Sequence, residues 1–356
     1  MAREKSGTGW GAILRATCLF VVGFFLATAA IHPFVRDSLG LYASERSEKL
    51  EMERRNHFQY SSAAFGSSHV EVGFDPRAFD AGLAGTSLAV HSFNLGLSGG
   101  AQVEQRVMAL DFLDHLKPPP AGQPCFVLLE ATAPPTFSLL FTTHPRQINI
   151  LDWRSEELAR QFPEPQTTRL HILHLREAAL EPAIYHLISM GMLSNRIFRP
   201  PYDEAMIAEK TKNDHRGLHV VPETALADKD VDRSFALALP VPQPVASGLE
   251  EGHRMLIEEL ERAPHGNKVQ FVWVAFPELD DLMQYKVLPD SEMTPLGEVP
   301  ILNLARPDLY PQLYEHAMWR DNQHLNEQGA KAASALLAKL LLNWSHDHPV
   351  QRNCGG

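Results

Sequence analysis

No C-x-x-C pair and no H-E-x-x-H helix occurs in this chain, and its 356 residues include only three cysteines. Those absences remove the commonest zinc-site spacings, and no metal or other cofactor is expected. Cys18 sits in an apolar segment, Cys125 is central, and Cys354 stands in a tail that ends in glycine. That arrangement shows no disulfide framework. His171 and His174 in "HILH" have helical spacing, but nothing nearby supplies two further ligands, so the pair reads as a helix face. Basic charge is also short: 32 Lys and Arg stand against 43 Asp and Glu, a net charge of −11. A nucleic-acid surface needs a basic patch for phosphate contacts, so no nucleic-acid partner is expected.

Charge is missing altogether from "ATCLFVVGFFLATAAI", residues 16–31. "WGAIL" extends the run backwards, and Arg3, Lys5 and Arg15 precede it. With Trp10 at the interface and Arg15 snorkelling, the run reaches membrane thickness. The positive flank places the N-terminus in the cytoplasm and the rest outside. Ala27-Thr28-Ala29 offers the competing reading, a cleaved signal peptide. Both readings carry the body of the chain across the membrane. The favoured one is a single-pass anchor in the inner (cytoplasmic) membrane, with the main domain periplasmic.

Residues 1–36 are thus read as cytoplasmic tail and anchor. Residues 37–58 pair Glu45 with Lys49 and Glu51 with Arg55 at i, i+4, as a solvated helical stalk would. From 59 to 345 the pattern is α/β. "YSSAAFG", "SLAVHSFNLG" (87–96), "CFVLLEA" (125–131) and "KVQFVWVAFP" (268–277) read as buried strands. Between them lie helical stretches, with Val103, Val107, Leu110, Leu113 and Leu116 on one period and Ala333, Leu336, Leu337, Leu340, Leu341 and Trp344 on another. Such alternation implies a parallel sheet with helices on both faces. Residues 140–263 break the pattern and read as a mostly helical insertion; residues 346–356 read as a flexible tail.

Two stretches carry chemistry. "AAFGSSHVEV", residues 63–72, stops an apolar run at Gly66 and follows it with Ser67, Ser68 and His69. Much later, "WRDNQHLNEQGA" places Asp321 three residues before His324, ahead of the last helix and its candidate cap Asn326. A serine hydroxyl needs a base within hydrogen-bond reach, and the base needs an orienting group. An Asp-x-x-His step supplies both. Either stretch alone reads as a polar loop, but a doubly wound sheet brings such loops to one edge. Between them, "NLGLSGG" (94–100) offers glycine amides suited to a developing oxyanion.

The order Gly-x-Ser, N-x-G-x-S-G, D-x-x-H-L-N-x-x-G resembles the SGNH (GDSL-type) hydrolase superfamily, in its membrane-anchored DltD-like and alginate-acetylation-like branch. The resemblance covers about 60–130 and 265–345 and implies a flavodoxin-like three-layer sheet. It puts the nucleophile on Ser68, the base on His324 and the acid on Asp321. Gly99 and the amide of Ser68 become oxyanion donors. Beside that, Ser67 and His69 are read as lining the site, and Asn94 either as a substitute oxyanion donor or as the residue that closes the turn after the second strand. Ser67 stands where the family has aspartate. Where the family places an asparagine after the third strand, this chain has Glu130, whose charge would repel an oxyanion unless it points elsewhere.

The implied activity is serine O-acyl transfer or acyl-ester hydrolysis on a cell-envelope or exported polysaccharide, with the glycan as acyl acceptor. Two alternatives stand beside it. One is a non-catalytic subunit working with a membrane-bound acyltransferase partner. The other is a lipase- or thioesterase-like hydrolase.

Overall fold

The computed structural model describes residues 10–35, 41–56, 60–100, 102–117, 119, 123–131, 215–220, 243–249, 251–348, 350 and 354. Most of the 140–263 insertion, with His171 and His174, lies outside the described residues. The chain divides into two compact units. Residues 1–43 belong to the first, and 44–137 with 203–356 form most of the second.

In the first unit, helix α1 (Trp10–Val35) contains a stretch from Trp10 to Ala30 long and apolar enough to cross a membrane. Its 21 residues rise about 30 Å, the thickness of a hydrocarbon core. Its side chains from Trp10 to Leu26 are exposed.

The second unit is an α/β sandwich. Five parallel strands are β1 (Ser62–Gly66), β2 (Ser92–Gly96), β3 (Phe126–Glu130), β5 (Gln270–Ala275) and β8 (Gly297–Asn303). The sheet order is β2-β1-β3-β5-β8-β7, where β7 (Ser291–Thr294) closes the edge as an antiparallel hairpin with β8. A separate two-stranded parallel pair joins β4 (Gln243–Ala246) to β6 (Gln284–Val287). Strand side chains alternate between two cores, which is why β1, β3 and β5 are apolar apart from one polar end residue each, Ser62, Glu130 and Gln270. Phe65, Val127, Leu129, Phe271 and Trp273 face one core. Ala64, Phe126, Leu128, Val272 and Val274 face the other.

Helices cover both faces. Helix α5 (Gln102–His115) and helix α6 (Glu251–Arg262) fill the first core through Met108, Phe112, Leu256 and Leu260. The second is filled by α3 (Ser68–Gly73), α4 (Pro76–Leu83) and α7 (Glu327–Asp347), through Val70, Phe79, Leu83, Leu337 and Leu341. The buried stripe of α5 runs through Met108, Ala109 and Phe112, while Val107 and Leu110 are only half-buried. The expected stripe is rotated because α5 has a second neighbour.

That neighbour is α2 (Leu41–Asn56), the segment expected to be a solvated stalk. Glu45, Arg46, Lys49 and Glu53 are buried. Arg46 pairs with Glu104 at 3.3 Å, Arg54 with Asp111, and Lys49 Nζ donates to the Gly96 carbonyl at 2.6 Å. The charges are buried because their partners sit on α5 and β2.

Two further corrections follow. Cys125 and Cys354 form a disulfide between the chain just before β3 and the C-terminal tail, and Cys354 is buried. The tail, expected to be free, is therefore tied to the core at Cys354. At the other edge, residues 215–218 close β2: the Asn94 amide donates to the Arg216 carbonyl at 2.9 Å, and Arg216 pairs with Asp80.

Candidate active site

Counted in chain order, the parallel strands run 2-1-3-4-5, so the connections change direction between β1 and β3. Ligands of open α/β sheets bind outside the carboxyl ends of the strands at such a point. Gly66 ends β1 and Glu130 ends β3 there. A Cβ on Gly66 would collide with Val70 and Glu130, which is why glycine sits at this crossing.

Ser67 is the N-cap of α3; its hydroxyl accepts from the His69 amide at 3.3 Å. Ser68 is the first helical residue, so its amide has no partner within the helix. Its hydroxyl lies 2.8 Å from His324 Nε2. His324 Nδ1 lies 2.8 and 3.0 Å from the two oxygens of Asp321. Asp321 Oδ1 also accepts from the amides of Gln323 (2.9 Å) and His324 (2.8 Å), which winds the loop around its own carboxylate. Partial burial pushes the Asp321 carboxyl up, but hydrogen bonds from the His324 ring and these amides win and hold it below the ordinary range. Asn326 caps α7 by accepting from Gly329, and its side-chain amide ties back to Ala317 and Trp319. The loop carrying Asp321 and His324 is therefore fixed at its exit.

The other expected site residues divide. Gly99 occupies the turn after β2 with φ +61°, a left-handed conformation that glycine adopts without strain. The following Gly100 packs so closely that a Cβ there would lie 2.7 Å from the Gly66 carbonyl and 3.2 Å from Ser67 Cα. Asn94 is not at the site. It is fully buried inside β2, its amide donates to the carbonyls of Val70, Glu71 and Phe74, and its oxygen accepts from Gly96. All its donor capacity holds the end of α3, so none is left for substrate. Ser67 faces inward, with its hydroxyl donating to Glu130 Oε1 at 3.0 Å.

Glu130 is the residue whose role the sequence did not reveal. Its carboxylate is buried, accepts from the Ser67 amide and hydroxyl, and lies 3.0 Å from His69 Nδ1. Burial pushes its carboxyl up, but the His69 charge and hydrogen bond, with both Ser67 donors, prevail and lower it. Burial likewise pushes His69 down, and Glu130, Glu278 and Asp281 together raise it above the ordinary histidine range. Each group thus favours the charged form of the other. The repulsion expected of Glu130 is offset by His69 and Ser67, which engage both of its oxygens. The only signal in the sequence was an acid closing a strand of four apolar residues, "FVLLE".

A third carboxylate flanks the site. After β5, the turn Leu279–Leu282 is capped reciprocally by Glu278 and Asp281. Tyr314 donates to Asp281 at 2.8 Å, and the Leu279 amide donates to the Asn322 carbonyl, joining this turn to the Asp321–His324 loop. Burial pushes Asp281 up to about 7. Among the described residues no group of three or more His, Cys, Asp or Glu could hold a metal ion.

The arrangement can move a proton from the Ser68 hydroxyl to a histidine fixed by a carboxylate. Comparison of the chain with family models, with curated proteins and with solved structures found no match, so this reading of the site rests on its geometry alone.

Proposed function

We propose that the protein is an extracytoplasmic serine O-acyltransferase or acylesterase acting on an envelope polysaccharide. The observation that carries the reading is the Ser68–His324–Asp321 relay, in which Ser68 and His324 meet across 256 positions of sequence. The 2-1-3-4-5 strand order, which is that of flavodoxin-like sheets, fits the suspected SGNH fold. The location is supported by α1 and by the Cys125–Cys354 disulfide, since disulfides persist in oxidising compartments.

In acylation, the Ser68 oxygen bonds to the carbonyl carbon as its proton passes to His324 Nε2. The carbonyl π pair moves onto oxygen, facing the Ser68 amide and the Gly99 turn. As the pair returns, the bond to the leaving oxygen breaks and that oxygen takes the proton from His324. A sugar hydroxyl or water then repeats the sequence in reverse, with His324 as its base. Asp321 keeps the Nδ1 proton throughout.

The test is a fluorophosphonate probe on the full chain in detergent, with the adduct mapped by mass spectrometry. Labelling at Ser68 that vanishes in Ser68→Ala and falls steeply in His324→Ala is expected. A folded protein that takes no label would sink the enzymatic reading and favour a non-catalytic subunit beside a membrane-bound acyltransferase.

A further inference from the structure

The relay accounts for the proton but leaves one polar atom beside it unexplained. His69 follows Ser68 on the first turn of α3, and its ring centroid lies 5.7 Å from that of His324. His324 is the ring in contact with the Ser68 hydroxyl, and His69 lies beside it. On one side, His69 Nδ1 is engaged by Glu130 and lies 3.2 Å from the Ser67 hydroxyl. On the other side, Nε2 is shielded from solvent and hydrogen-bonds to no described group. Its nearest counter-charge is Glu278 Oε1, 3.6 Å away, beyond hydrogen-bond length. A buried donor without an acceptor is costly and calls for an explanation.

We infer that His69 is a catalytic residue whose Nε2–H donates to the oxyanion formed at Ser68, with Glu130 as its positioning residue. This rests on the reading of Ser68 as nucleophile. The logic is the one that governs His324, turned round. Glu130 fixes the His69 ring through Nδ1, as Asp321 fixes His324. The outcome differs because His324 must present a lone pair, whereas His69, carrying both protons, presents an N–H. Negative charge arriving on a substrate oxygen would then meet an imidazolium whose ring is already fixed. Glu278, a third exposed on its side chain, is the counter-charge at rest and can turn to solvent when the oxyanion replaces it.

The sign of the pH dependence follows from which proton leaves first. Glu130 retains the Nδ1 proton, so deprotonated His69 keeps that one and loses the Nε2–H. The donor is present below the pKa of His69 and lost above it. The groups facing His69 are Glu130 from β3, Glu278 and Asp281 from the turn after β5, His324 from the loop before α7, and the Ser67 hydroxyl. The three carboxylates hold the loss above the ordinary histidine range.

The measurement is p-nitrophenol release from p-nitrophenyl acetate by the full chain in detergent, across pH, with kcat and KM separated. Melting temperature is followed alongside. His69→Ala is expected to lower kcat about 100-fold, the usual scale for one oxyanion donor, with KM within about twofold. His69→Gln keeps a neutral N–H and should retain more activity while abolishing the alkaline loss. Glu130→Gln should move that loss down by a unit or more. If His69→Ala keeps kcat within twofold while Ser68→Ala abolishes release, the donor role is overturned and the nucleophile stands. An alkaline limb unmoved in Glu130→Gln overturns the positioning role even if His69→Ala does not fold. Equal release by Ser68→Ala and the native chain overturns both readings.

Discussion

Asp321 accepts from the His324 ring with both oxygens and from two amides of its own loop with one of them. An amide in its place would offer one acceptor and, towards Nδ1, a competing donor. Asp321→Asn should therefore keep the loop but favour the wrong tautomer of His324. A fall in the rate of Ser68 labelling of about 10²- to 10⁴-fold, with the melting temperature little changed, is the expected result. An equal rate would mean that His324 is oriented by something other than Asp321. Asn94 makes the opposite case at the same scale. Its residue type suited an oxyanion role, yet its three carbonyl partners lie at the end of α3, and they were invisible without knowing where that helix ends.

At the scale of elements, the turn Leu279–Leu282 stores a pH dependence of its own. The Asp281 carboxyl, raised to about 7 by burial, holds its proton more tightly folded than unfolded. Its contribution to stability therefore declines as pH rises from the ordinary aspartate range, about 4, through about 7, and levels off beyond. Asp281→Asn keeps an oxygen for Tyr314 and removes the titration. In urea unfolding the variant should gain on the native protein between pH 5 and pH 8; a constant gap would show that the carboxyl is not raised.

Elements buried on both sides were the most legible, because a continuous apolar run can hardly sit anywhere but in a core: β1, β3 and β5 fall within their expected spans. The α7 helix was legible instead from its one apolar stripe. Elements defined by a partner were not. The α2 helix carries charge all round, and only α5 and β2 reveal which charges are covered. The β7 strand, "SEMT", has no apolar alternation because it is half-exposed at a sheet edge. Likewise the acid–base relay was legible from its spacing, whereas the Ser67–His69–Glu130 cluster needed β1 and β3 to be neighbours.

On the scale of the whole molecule, the Cys125–Cys354 bond joins positions 229 residues apart. Closing so long a loop restricts the unfolded chain by roughly 5 kcal/mol in the chain-entropy view, although measured effects are commonly about 2–4 kcal/mol. Cys354→Ser should lower the unfolding free energy by a similar amount, read from denaturant midpoints, and a reductant should then have no further effect. A variant as stable as the native protein would mean that the tail holds its place by packing alone.

The same bond has a consequence for cleavage. Ser68 precedes Cys125, while Asp321 and His324 lie inside the bridged loop. A protease that severs any peptide bond between Cys125 and Asp321 divides the chain into one piece bearing Ser68 and another bearing Asp321 and His324. Sulfur still joins them, so the nicked molecule becomes a two-chain protein, and only a reductant can release one piece from the other.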